Sequence, residues 1–130
     1  MQKFFKRNEL SKLLGINSET LRFYERIELI LSPSRASNGY RLYTEKHLEE
    51  LRFIQKCRAL GFSLDEIKQL KYLKAQSIDS CKNIDNLVNQ HLDKINQKIE
   101  HLNEIKTILL NLQHHSSGNV EDCKIVNYLK

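Results

Sequence analysis

Three cysteines and a pair of histidines are the residues of this 130-residue chain best suited to chemistry. Cys57, Cys81 and Cys123 are odd in number and widely spaced. That pattern argues against a disulfide framework and for free, metal-binding or redox-active thiols. Cys123 closes the segment HHSSGNVEDC (114–123), whose histidines, serines, glycine and acids make a polar loop rather than a core segment. A thiolate is the effective form of such a ligand, and soft sulfur suits zinc, cadmium, mercury and lead. Imidazole from His114 or His115 suits zinc as well. The chain contains no Gly-rich phosphate loop, no nucleophile elbow and no HExxH, so a binding protein is expected rather than an enzyme.

The elements that must position these thiols follow from periodicity and capping. Residues 6–15, KRNELSKLLG, form a short helix with Leu10, Leu13 and Leu14 at helical spacing and Gly15 as its stop. INSETLRFYERIEL (16–29) restarts the pattern with Ser18 as N-cap and Glu19 in the first turn. Two short helices joined through a glycine turn make a helix-turn-helix. The next segment, LSPSRASNGYRLYT (31–44), holds the single proline and an Asn-Gly turn signal, and it predicts a β-hairpin wing with Tyr40 and Leu42 alternating against Arg41 and Tyr43. Thr44 caps a helix that ends at Gly61, and Ser63 with Glu66 forms a capping box opening another helix over 63–74.

From about Asn83 to Gln113 the apolar residues Ile84, Val88, Leu92, Ile95, Ile99, Leu102, Ile105, Leu109 and Leu112 recur in steps of three and four. This near-heptad stripe runs roughly 46 Å at 1.5 Å per residue, longer than so small a domain can cover. It predicts pairing with a second copy of itself. The expected fold is mainly α: a winged helix-turn-helix domain with its following helices (1–75), a linker and long antiparallel coiled-coil dimerisation helix (76–113), and a loop with a short terminal helix (114–130).

Charge sorts along the chain in the same way. Residues 1–60 carry 12 Lys/Arg against 7 Asp/Glu, whereas residues 61–130 carry 9 of each, so the whole net charge of +5 lies in the first half. That is the asymmetry of a chain with one end for a polyanion. No run of about 18 apolar residues predicts a membrane span, and no secretory signal is read at MQKFFKRNEL, which makes a cytoplasmic location the expectation.

ETLRFYE (19–25) followed by NGYRLYT (38–44) resembles the DNA-binding signature of the MerR family of transcriptional regulators, and the resemblance runs over essentially the whole chain. FIQKCRALGFSLDEI (53–67), DSC (79–81) and the late Cys123 resemble the branch of that family responding to heavy divalent metals: cadmium, lead, zinc or mercury. The resemblance implies a homodimer on double-stranded promoter DNA, which a bound divalent ion causes to untwist or bend so that RNA polymerase, an indirect partner, can start. It assigns Arg22 and Tyr24 to the recognition helix, with Thr20 adding a hydroxyl contact, and Arg35, Tyr40 and Arg41 to a wing gripping the backbone. It also implies three thiolates around the metal. Cys81 matches the first and Cys123 the last, but Ser116 stands where the middle cysteine belongs. His115, His114 or water is then left to complete the shell, and His91 is a further candidate, expected at the surface. Copper-sensing relatives carry serine at the place of Cys81, so this cysteine favours a divalent ion.

Separated by the long helix, Cys81 and Cys123 of one chain are not expected to share an ion; across an antiparallel dimer they are. A competing reading makes the protein a regulator triggered by thiol chemistry, an aldehyde or oxidant attacking Cys57 beside Lys56 and Arg58. On its apolar helix face, Cys57 is otherwise expected to fill core space.

Overall fold

Capping side chains set the starts of three of the helices, and glycines stop two of them. In the computed structural model, residues 3–76, 80–113 and 123–130 are described. They form β1 (Phe4–Phe5), α1 (Arg7–Leu14), α2 (Ser18–Arg26), β2 (Ser34–Arg35), β3 (Arg41–Thr44), α3 (Glu45–Ala59), α4 (Leu64–Lys74), α5 (Ser80–Leu112) and α6 (Lys124–Tyr128). The chain divides into two units, Met1–Ile84 and Asp85–Lys130.

In the first unit, α1 stops at Gly15, whose φ of 68° is the left-handed conformation glycine adopts without a Cβ penalty. The cap of α2 is Asn17, not Ser18 as expected: its side chain accepts from the Glu19 N–H at 2.8 Å, and Ser18 is the first helical residue, its hydroxyl 3.3 Å from that of Ser11. Both residue types cap well, and the choice between them turns on a one-residue shift in helix start. After α2 the backbone turns through Glu28, the one non-glycine residue among those described with positive φ, at 59°.

The wing forms as expected, with β2 and β3 antiparallel and Arg35 opposite Arg41. The sheet gains a third strand that the sequence pattern did not predict: β1 pairs with β3 on its other side, Phe5 opposite Tyr43. Tyr43 is fully buried while Tyr40 is 69% exposed, because Tyr43 packs into the core with Leu10 of α1.

Thr44 caps α3, and His47 takes the place a glutamate has in the usual capping box. The Thr44 N–H donates to Nδ1 of His47 at 3.0 Å. The ring proton is therefore assigned to Nε2, which donates to the Leu31 carbonyl at 3.1 Å. The α3 helix ends in a Schellman arrangement at Gly61, with the Phe62 N–H on the Cys57 carbonyl and the Gly61 N–H on that of Arg58. The Ser63–Glu66 capping box opens α4 as expected. Leu10, Leu21, Leu29, Tyr43, Leu51, Ile54 and Ile67 pack into one core with Cys57 among them. Lys71 on α4 fastens the segment after α2 by donating to the Leu29 carbonyl at 2.7 Å and to Glu50, which itself accepts from the Leu31 N–H.

The second unit takes most of α5 together with α6. The long helix begins at Ser80, earlier than the expected Asn83, so Cys81 lies inside its first turn. The stripe residues Val88, Leu92, Ile99, Leu102, Ile105 and Leu109 are exposed. Leu87 and His91, one turn apart and on the same side of the helix as the stripe, are buried. His91 therefore departs from its expected place at the surface: it stands one turn beyond Leu87 on the side of the helix that carries the stripe.

Candidate nucleic-acid interface and thiols

The helix and the wing meet through a polar network of side chains far apart in sequence. Tyr43, pointing from β3 into the core, donates its hydroxyl to Glu25 on α2 and accepts from Arg7 Nε at 3.4 Å. Burial first, and then the hydrogen bond to Glu25, push its phenol up to about 12. Arg41, two residues earlier and so on the same face of β3, approaches the other carboxylate oxygen of Glu25 at 3.5 Å. Glu25 thus holds the base of the wing against α2. Glu25 and Tyr43 lie in the two motifs of the sequence, but neither they nor Arg7 were expected to brace the wing against α2. Their contacts span 18 to 36 residues, a distance over which periodicity gives no signal.

Above this network the helix and wing form a recess of about 480 Å³ in which Arg22, Arg26, Arg35 and Arg41 are gathered with Glu25. Four guanidinium groups against one carboxylate make a surface for a polyanion, since such groups match phosphate oxygens in pairs. Arg22 and Arg35 are exposed and Thr20 is half-buried. Tyr24 is half-buried and packs against the core, which limits how far its ring reaches outward. Exposed Tyr40 stands next to the wing's Asn38–Gly39 turn, whose Asn38 side chain accepts from the Tyr40 N–H. Arg26, which lies over the Phe23 ring at 5.6 Å, joins the recess although the sequence reading did not single it out. The Arg22, Arg26 step of four along α2 was the available signal.

The three thiols occupy different surroundings. Cys57 is 6% exposed in the core, and burial pushes its thiol up despite the opposing charge of Lys74. A protonated, covered thiol is a poor nucleophile. Cys81 is exposed in the first turn of α5, and Cys123 is half-buried at the N-cap of α6. Both are free thiols with the soft-donor chemistry that heavy divalent ions prefer. His114, His115 and Ser116 lie outside the described residues. Among those described, no three His, Cys, Asp or Glu side chains gather closely enough to hold a metal ion, and no helix is long and apolar enough to cross a membrane.

Comparison with known proteins agrees with this architecture. Residues 5–73 match the model of the MerR HTH family regulatory protein, and residues 48–115 match the model described as MerR, DNA binding. The mercuric resistance operon regulatory protein of Bacillus cereus is 33% identical over 127 residues, 96% of each chain. The HTH-type transcriptional regulator ZntR homolog of Haemophilus influenzae is 37% identical over 113 residues, 87% of this chain and 84% of its own. Among solved structures, the transcription regulator PbrR691 from Ralstonia metallidurans CH34, in complex with lead(II), superposes with a TM-score of 0.80 at 32% identity, covering 97% of this chain and 99% of that one. With its helix-turn-helix, its arginine-lined wing and matches over nearly its full length, the chain belongs to the MerR family of helix-turn-helix regulatory proteins, which are transcriptional regulators and not enzymes.

Proposed function

We propose that this protein is a homodimeric transcriptional regulator that binds double-stranded promoter DNA and responds to a divalent heavy metal ion. The observation that carries the metal reading is the placement of the two accessible thiols: exposed Cys81 in the first turn of α5, and Cys123 beyond the other end of that helix. Similarity to regulators named for mercuric resistance and to a lead(II)-bound relative supports it.

From Cys81 to Leu112 the helix rises roughly 46 Å at 1.5 Å per residue. The chain from Leu112 to Cys123 reaches at most about 40 Å when fully stretched. One chain therefore cannot readily close both sulfurs on one ion. Two α5 helices paired antiparallel bring Cys81 of one protomer to Cys123 of the partner subunit, twice per dimer. The exposed stripe from Val88 to Leu109 supplies the apolar seam that such pairing needs.

When bound, the ion supplies strong bonds to soft sulfur and so a tie between the protomers. Cys81 and Cys123 would hold it, with His114, His115 or water as the third donor in place of the cysteine that Ser116 replaces. The paired α5 helices carry that tie to the two DNA-binding units, each of which sets its α2 and wing on a half-site. A change in their spacing untwists or bends the promoter between them so that RNA polymerase engages it. Thiol chemistry at Cys57 is the weaker reading, because that sulfur is buried and its thiol pushed up.

Metal titration of the reduced protein with zinc, cadmium, lead and mercury, followed by thiolate-to-metal absorption, tests the proposal. Cys81→Ser and Cys123→Ser are each expected to abolish tight binding, while Cys57→Ser leaves it unchanged. Tight binding that survives loss of both Cys81 and Cys123 would refute the sensor.

A further inference from the structure

The wing sets two guanidinium groups side by side. Arg35 and Arg41 face one another across β2 and β3, and like charges directly opposite in a sheet repel. Glu25 offsets Arg41 at 3.5 Å, whereas the partner of Arg35 is the Gly39 carbonyl at 3.3 Å. Both arginines line the recess against α2, and both also line a second, open recess of about 560 Å³. Lys6, Arg7 and Ser18 complete much of its wall. Four of its lining residues are cationic and none is acidic. Arg7 spends Nε on Tyr43, but its Nη2 is covered by protein and has no hydrogen-bond partner among the described residues. A covered guanidinium donor without an acceptor is costly. Lys6 is exposed, and its side chain makes no capping bond to the helix it precedes.

We propose that this recess seats one phosphate of the DNA backbone, held between Lys6 and Arg7 at the start of α1 and Arg35 and Arg41 of the wing. The proposal rests on the DNA-binding reading and deepens it, adding the entry to α1 to an interface otherwise made by α2 and the wing. The sharing of Arg35 and Arg41 between two recesses suits neighbouring phosphates of one strand. An open, four-cation surface of this kind fits a polyanion better than an enclosed small anion.

The test uses a duplex that the wild-type protein selects from a random-sequence pool, with each phosphate replaced in turn by a neutral methylphosphonate. One replacement is expected to weaken the wild-type complex about tenfold, the worth of one charge-assisted contact, and to cost the Lys6→Gln protein much less. Lys6→Gln should also lower the slope of log affinity against log salt by about 0.9. Because Arg7 bonds to Tyr43, Lys6→Gln is the primary variant, and Arg7→Gln, checked for folding by circular dichroism, is the second. If both variants keep the wild-type salt slope and phosphate profile while Arg22→Ala alters them, the recess is not a phosphate seat and the DNA-binding reading stands. A lowered slope with no single phosphate singled out also overturns the seat, leaving Lys6 as diffuse charge. If the pool yields no preferred duplex, or Arg22→Ala changes nothing either, the DNA-binding reading falls and this proposal with it.

Discussion

The two units of the chain treat their apolar residues in opposite ways. In the first, Leu10, Leu21, Leu29, Tyr43 and Ile67 are wholly withdrawn from solvent, and capping side chains, Schellman turns and the Lys71–Glu50 clamp satisfy many of the polar groups around them. In the second, Leu102, Leu109 and Leu110 are more than half exposed along a helix of 33 residues. A monomeric surface of contiguous large apolar side chains is unfavourable unless something covers it. On the proposed reading, the first unit is complete within one chain and a second copy completes the other. A regulator that reads paired half-sites needs both: a self-sufficient reading head and a connector that is stable only when shared.

The comparison breaks most visibly at Leu102. A charge placed in a dry helix seam costs several kcal/mol, so Leu102→Asp should yield monomers in sedimentation and lose DNA binding through the loss of the second half-site. The first unit should keep its helical signal. An intact dimer would show that the stripe is covered in some other way.

The converse substitution strikes the self-contained half. Ile67→Ala removes a fully buried side chain and should destabilise that unit by about 2–5 kcal/mol, read as a lowered denaturation midpoint. Dimerisation through α5 should persist under conditions where the variant is still folded.

What the sequence disclosed differs between the halves for the same reason. Glycine stops at 15 and 61, the Ser63–Glu66 box and the stripe on α5 are local signals, and each formed in its expected place. Three features escaped because their cause is tertiary. β1 has two residues, too few for any period, and exists because β3 offers it an edge. YRLYT permits either alternation phase, and packing into the core beside α1 decides for Tyr43. His91 is polar by type yet buried by position, following Leu87 around the helix. On the candidate site, the arginines of α2 and the wing were legible from their motifs, but the Arg7–Tyr43–Glu25 network that braces them was not.

A smaller effect sharpens the comparison from the side of the reading head. Glu28 holds a positive φ of 59°, a conformation that costs a side chain about 1 kcal/mol and glycine little. Glu28→Gly should therefore raise the stability of the first unit by up to about 1 kcal/mol, seen as a higher melting temperature with unchanged DNA affinity. A lower melting temperature would mean that the Glu28 side chain contributes more than its backbone costs.

The central claim is that the metal site belongs to two chains at once, and mixed dimers test it directly. A heterodimer of one Cys81→Ser chain and one Cys123→Ser chain retains both thiols at one of its two sites and neither at the other. Metal counting on the purified, reduced heterodimer should find one tightly held ion per dimer, where each homodimeric variant holds none. If the heterodimer also holds none, with both variants folded and dimeric, the two cysteines act within a single chain and the account is wrong.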